Sequence, residues 1–216
     1  LAALANLLSA DERMVAARFH FAPDRERYTL SRGLLRELLH WYLNVAPERL
    51  RFSYGPQGKP TLAVPADGDW MRFNLSHAHD ITLYAFSRNQ ELGIDIERIR
   101  PDIEYEQIAR HVFSPYEVEM LFALPPHERT EAFFRCWTIK EAYVKGHGGG
   151  LSMSLNQFDC ALTPGTSAAI LATRPDATQA SRWTITRLEP GRDYMGALAV
   201  DGPITKLTCW QIGSEP

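Results

Sequence analysis

The chain has 216 residues, enough for one large domain or two small ones, and its 45% hydrophobic share is ordinary for a protein with a real core. A formal charge of -3 argues against a polyanion-coating protein, because nucleic-acid binders carry a basic excess, although local basic pockets remain compatible with it. Cys136, Cys160 and Cys209 are odd in number, widely spaced and without a C-x-x-C pair, which points to neither a disulfide framework nor a zinc site and fits a reducing cytosol.

No stretch approaches the apolar length of a membrane span, and the opening LAALANLL lacks the basic n-region of a signal peptide, so a cytoplasmic protein is expected. Ser9 followed by Glu12 has capping-box spacing and predicts a helix through Met14, Val15 and Arg18. A second helix is expected over about 25–43, where Leu30, Leu34, Leu38 and Trp41 recur at helical spacing and Leu35 and Leu39 widen the stripe. Its polar side carries Arg25, Arg27, Arg32 and Arg36, a face that solvent normally covers, with Arg27 and Arg32 able to reach an anionic ligand.

Pro47 closes that segment, and RFSYGPQGKPTL then reads as strand, Gly/Pro turn and strand, with Lys59 held in the turn between a permissive and a rigid residue. MRFNLSHAHDITLYAFS reads as two strands around a turn at 77–80. Ser76 and His77 end the Phe73, Leu75 alternation, where a hydroxyl and an imidazole can donate to phosphate oxygens; read alone, His77 is an ordinary turn histidine. In GIDIE, residues 93–97, Ile94 and Ile96 point one way along a strand while Asp95 and Glu97 point the other, and Pro101 ends the element.

Ser114, Pro115 and Glu117 form a second capping box with a proline start, which assigns Glu117 to helix initiation ahead of metal binding. Val118, Met120, Leu121 and Phe122 of that short helix either pack inward or meet a partner. A helix over 131–145 follows, and Gly146, Gly148, Gly149 and Gly150 are expected to end it. LSMSLNQFDCAL, SRWTITRLE and DYMGALAV are strand candidates, with RPDATQAS as the polar loop between them. Helix, glycine turn and strands recur in both halves, which suggests a distant duplication joined near residues 88–92.

In WTIKEAYVK, residues 137–145, Trp137, Glu141 and Lys145 share one helix face, so a carboxylate and an ammonium stand side by side above an aromatic ring. Alone, Glu141 and Lys145 are an ordinary surface pair, and Asp95 and Glu97 are the solvated face of an edge strand. Together they supply three carboxylates from two elements, followed at once by a glycine tract. Oxygen-only ligands suit a hard divalent ion such as Mg²⁺, which binds best where a substrate phosphate completes its shell.

Five motifs stand in one order: GKP at 58–60, FNLSH at 73–77, GIDIE at 93–97, FSPYE at 113–117 and WTIKEAYVKGHGGGLS at 137–152. In that order and spacing the chain resembles the 4′-phosphopantetheinyl transferases of the surfactin-type group. The resemblance implies an α+β fold of two similar α/β halves related by pseudo-twofold duplication, each a small, mostly antiparallel sheet packed on a long helix. Residues 1–90 would form the N-terminal half, on the coenzyme A phosphate side, and residues 91–216 the C-terminal half, on the metal and catalytic side, with coenzyme A in the cleft between. It implies Mg²⁺-dependent transfer of the 4′-phosphopantetheine group from coenzyme A to a serine of an apo acyl or peptidyl carrier protein, releasing adenosine 3′,5′-bisphosphate.

By the same resemblance Asp95, Glu97 and Glu141 are the metal carboxylates, for Mg²⁺ or in its place Mn²⁺, and Glu141 and Lys145 are catalytic. Arg27, Lys59, Ser76, His77 and Lys145 bind coenzyme A, Arg27 near the adenine or the 3′-phosphate. Only Arg13 stands nearby in the first helix, where the family often has further basic residues. Glu141 completes the metal shell or also takes the serine proton, and Lys145 neutralises the attacked phosphate or the leaving group. Trp137 is expected to buttress its helix.

The partners implied are coenzyme A and a carrier of fatty-acid, polyketide, nonribosomal-peptide or heterocyst-like lipid synthesis, with no nucleic acid and no membrane. A monomer follows, since a duplicated chain supplies its own twofold partner. Two other functions would use the same residues: a non-catalytic coenzyme A or carrier-binding module, and a Mg²⁺-dependent phosphohydrolase that needs no carrier.

Overall fold

Two helices of 22 residues each, one early and one late in the chain, organise the computed structural model, which describes residues 1–63, 70–150 and 153–212. Leu151 and Ser152, which close the longest motif and open the LSMSLNQFDCAL strand candidate, lie outside the described residues. The chain forms two units, Leu1–Phe73 with Phe86–Asn89, and Asn74–Ala85 with Gln90–Pro216.

The first unit contains α1 (Ala2–Leu7), α2 (Ala10–Arg18), the long α3 (Ala22–Leu43), a 3-10 turn at Pro47–Arg49 and the antiparallel pair β1 (Phe52–Tyr54) and β2 (Pro60–Leu62). Both arms of the Ser9/Glu12 capping box are present at the start of α2. Proline near its start and Asn44 in the left-handed conformation at its end bound α3. The buried side of α3 is rotated from the expected leucine stripe: Leu35, Leu38 and Leu39 are buried, but Leu30 and Trp41 are 44% and 63% exposed. The cause is α1, whose Leu4 lies so close to Gly33 that a Cβ there would stand 2.6 Å from the Leu4 Cβ.

A hairpin of β3 (Met71–Ala78) and β4 (Ile81–Arg88) has its base in the first unit and its tip in the second. Asn74–Ala85 therefore groups with the second unit, because Asn74 accepts the Ile94 N–H at 3.0 Å and Ser76 bonds to Asp95, also at 3.0 Å. The second unit continues with β5 (Leu92–Arg98), α4 (Tyr105–Val112), α5 (Pro115–Ala123), the long α6 (Pro126–His147) and a 3-10 turn at Leu155–Gln157. After these come β6 (Phe158–Cys160), β7 (Ile170–Thr173), α7 (Gln179–Arg182), β8 (Trp183–Leu188) and β9 (Tyr194–Asp201). Its main sheet runs β5-β9-β8, all antiparallel, with Asp95 opposite Ala197 and Arg187 opposite Ala197 on the other side.

One face of that sheet, with Ala197, Ala199, Trp183 and Ile185, joins Phe133, Ile139, Tyr143 and Val144 of α6 in the main core; the other, with Leu92, Ile94, Leu198 and Val200, packs on Leu83 and Ala85. Compared with expectation, α6 starts a turn earlier and runs through Gly146, so that Gly148, at φ 77°, is the residue that stops it. Among the described residues no helix is long and apolar enough to cross a membrane.

The units repeat one buried device. In each, a nine-residue helix starts with a capping box, and its glutamate, Glu12 or Glu117, pairs with a base on the long helix. The base stands 14 residues after the helix start in both cases, Ala22 to Arg36 and Pro126 to Lys140. The distances are 2.7 Å for Arg36 to Glu12 and 2.8 Å for Lys140 to Glu117. Each base then donates to the carbonyls of the first residue of the following 3-10 turn and the residue after it: Pro47 and Leu50 at 2.6 and 3.1 Å, Leu155 and Phe158 both at 2.7 Å. Each also lies over the ring that opens the next strand, 5.1 Å from Phe52 or 4.1 Å from Phe158. Arg36, expected in solvent, is thus buried, since the capping glutamate supplies the charge it needs to leave water.

Candidate active site

The site begins with two glycines. A Cβ on Gly93 would stand 2.0 Å from the Ala142 carbonyl oxygen and 2.2 Å from the Gly146 nitrogen, so α6 lies on β5 backbone to backbone. Gly146 in turn leaves room for Trp183, whose Cζ3 would be 2.6 Å from a Cβ there. Ala199 and Ala197, opposite Gly93 and Asp95, keep the adjoining sheet surface low. Glu141 and Lys145 each precede a contact residue, Ala142 or Gly146, and so overhang the next helix-facing strand position, Asp95.

The centre is a closed triangle. Lys145 Nζ donates to Asp95 Oδ1 at 2.6 Å and to Ser76 Oγ at 3.0 Å, and Ser76 Oγ donates to the same Asp95 oxygen at 3.0 Å. Around it is a cavity of about 450 Å³ whose lining includes Ser76, His77, Asp95, Glu97, Trp137, Glu141 and Lys145. Trp137 lines the same cavity, and its indole holds the Glu97 carboxyl down against the larger rise that burial imposes.

Electrostatics mark the pocket as a place for a cation. Burial pushes the Asp95 carboxyl up, against the opposing pull of Lys145 and Ser76. Glu97 and Glu141 are raised by burial first and then by the charge of Asp95. Asp95 Oδ2 is buried without a hydrogen-bond partner. An all-oxygen donor set that repels itself and holds one orphaned carboxylate oxygen fits a hard divalent ion. As placed, however, the carboxylates share the pocket without closing on one point: among the described residues no three His, Cys, Asp or Glu side chains stand ready to hold an ion, and the lysine sits on Asp95 instead.

Six of the eight side chains singled out from sequence therefore meet in one pocket of the second unit: Ser76, His77, Asp95, Glu97, Glu141 and Lys145. Arg27 and Lys59 belong to the first unit and are not in its lining. Arg27 pairs with Asp24 at 3.4 Å on α3, and the Lys59 carbonyl accepts from the Gly55 N–H at 3.0 Å in the β1-β2 turn. Asn74, Gly93 and Gly146 were not singled out. The signal for Asn74 was legible, since it shares with Ser76 the face of β3 opposite Phe73 and Leu75; nothing local marks the glycines as a helix-strand contact.

Residues 91–199 match the model of the 4′-phosphopantetheinyl transferase superfamily, and residues 1–89 that of the 4′-phosphopantetheinyl transferase N-terminal region. The chain is 40% identical over 199 residues to the 4′-phosphopantetheinyl transferase HetI of Nostoc sp., covering 92% of this chain and 81% of that protein. It is 35% identical over 179 residues to the putative 4′-phosphopantetheinyl transferase slr0495 of Synechocystis sp., covering 83% and 71%. With the 4′-phosphopantetheinyl transferase Sfp of Bacillus subtilis it shares 33% over 157 residues, 73% of this chain and 67% of that one.

Proposed function

Because the chain belongs to the 4′-phosphopantetheinyl transferase superfamily, in its surfactin-type group, it transfers the 4′-phosphopantetheine group of coenzyme A to a serine of an apo carrier protein, and we propose that the β5-α6 pocket performs this transfer. The observation that carries the reading is the meeting of Ser76, Asp95 and Lys145, drawn from three elements, beside Glu97 and Glu141.

In the reaction the serine oxygen forms a bond to the pantetheine-side phosphorus while the bond from that phosphorus to the bridging oxygen breaks. The electron pair leaves on adenosine 3′,5′-bisphosphate, and the serine proton goes to a base. Charge gathers on a pyrophosphate that is already negative, so positioned cations lower the barrier most. Asp95, Glu97 and Glu141 would hold Mg²⁺, or Mn²⁺ in its place, which supplies charge to the phosphate oxygens. Glu141, half-buried in the pocket beside Asp95, completes the metal shell or also accepts the serine proton, directly or through a water.

Lys145 brings its ammonium to the attacked phosphate or the leaving group. Ser76 and His77, at the end of β3, line the same pocket and contact phosphate oxygens. Arg27 and Lys59 are assigned to coenzyme A binding by family resemblance alone, Arg27 toward the adenine or 3′-phosphate. Residues 1–90 serve the phosphate side and residues 91–216 the metal side, and the enzyme works as a cytoplasmic monomer.

The test is addition of the phosphopantetheinyl mass to an apo carrier protein in the presence of coenzyme A and Mg²⁺. Asp95→Asn and Glu141→Gln should each lower kcat at least about 100-fold, the scale expected when a general base or a preorganised charge is lost. Near-normal turnover in both variants would remove the site assignment while leaving the family assignment untouched.

A further inference from the structure

The triangle in the pocket ties up two groups that the reaction uses apart. Asp95 has 5% of its side chain exposed and Lys145 30%, and their contact at 2.6 Å is made through the one Asp95 oxygen that has any hydrogen-bond partner. Lys145 commits two of its three N–H donors here, to Asp95 Oδ1 and to Ser76 Oγ, both on strands of the same unit. An ammonium so engaged is not directed at a substrate phosphate.

A buried carboxylate with two further carboxylates in the same pocket needs a compensating charge, because an unpaired buried charge is strongly destabilising. Lys145 is the one lysine or arginine among the residues lining the cavity. We infer that Lys145 is a resident cation that compensates Asp95 until a divalent metal arrives, so that metal binding and release of the ammonium from Asp95 are one coupled event. This rests on the proposal that Asp95 is a metal ligand.

The consequence is an order of assembly. Before the metal is present the lysine keeps the carboxylate cluster from flying apart and is withheld from substrate. With Asp95 neutralised, two cations on one carboxylate would repel, and the ammonium would be released to meet a substrate phosphate. Lys145 thus reaches the phosphate only in the metal-loaded enzyme.

Two measurements on the whole chain without coenzyme A test this. Calorimetric titration with MgCl₂ should show Lys145→Met binding Mg²⁺ about 5- to 150-fold more tightly than the native protein, the range of a typical coupling between two sites; Asp95→Asn should lose the binding. In ¹⁵N-lysine spectra of the native protein the Lys145 ammonium signal should shift or broaden on Mg²⁺ saturation, an arm that needs no folded variant. An affinity unchanged by Lys145→Met, or a Lys145 signal that stays in place at saturating Mg²⁺, overturns the inference and leaves the metal assignment standing. Absence of Mg²⁺ binding to both the native protein and Lys145→Met overturns the two together.

Discussion

Asp95 and Asp159 show how differently one residue type behaves in this chain. Asp95, deep in the pocket, is pushed up by burial, whereas Asp159 on β6 is held below the ordinary carboxylate range by hydrogen bonds from the Arg174 guanidinium, at 2.8 and 3.0 Å. A carboxyl whose folded-state value is depressed stabilises the protein above its unfolded value and loses that contribution as pH falls through the folded one. Asp159→Asn should therefore lower stability at pH 7 by about 1 kcal/mol at most, since Arg174 is substantially exposed. The gap between variant and native melting curves should narrow progressively as pH falls below 3.8, the ordinary Asp value, and a gap that stays constant from pH 7 through that acid range would contradict the pairing.

At the scale of the elements, the helix-strand contact and the repeated ion pair carry distinct consequences. Gly93→Ala places a methyl group against backbone that has no side chain to yield, so a loss of about 3 kcal/mol or more is expected, with activity falling because Glu141 and Lys145 ride on the displaced helix. Gly148→Ala is the control: open space surrounds that position, and only its left-handed φ of 77° is strained, for about 1–2 kcal/mol and no loss of activity beyond it. Denaturant melts with turnover assays separate the two. Lys140→Met leaves the Glu117 charge buried and should cost about 3–5 kcal/mol, while Glu117→Gln with Lys140→Met should cost less than the two single changes added, as a double-mutant cycle in the unfolding midpoint would report.

For the molecule as a whole, ligands that bind only the folded protein raise its melting temperature. Coenzyme A with Mg²⁺ at about 100 times their dissociation constants should add about 2.7 kcal/mol, or about 5–10 °C in a chain of this size. Asp95→Asn should abolish the Mg²⁺-dependent part, and an equal shift in that variant would place the metal elsewhere. Duplication is also a property of the whole chain. It shows as a capped helix, a long helix, a 3-10 turn and a strand pair in both units, joined by the same glutamate-to-base geometry around Arg36 and Lys140.

What the sequence determined by itself lies within a few residues of chain: both capping boxes, the helix face shared by Glu141 and Lys145, the β5 alternation that turns Asp95 and Glu97 to one side, and the motif order that marks the family. These follow from local periodicities of two and 3.6, which need no knowledge of the rest of the fold. Tertiary structure alone decided which of these faces meet. It buried Arg36 against Glu12, turned the α3 stripe away from Leu30 and Trp41 by seating α1 on Gly33, carried α6 past Gly146, and aimed Ser76 and Lys145 at Asp95. The reason is physical: a charge or a glycine takes its meaning from the atoms opposite it, and those are supplied by strand order and helix docking across long stretches of chain.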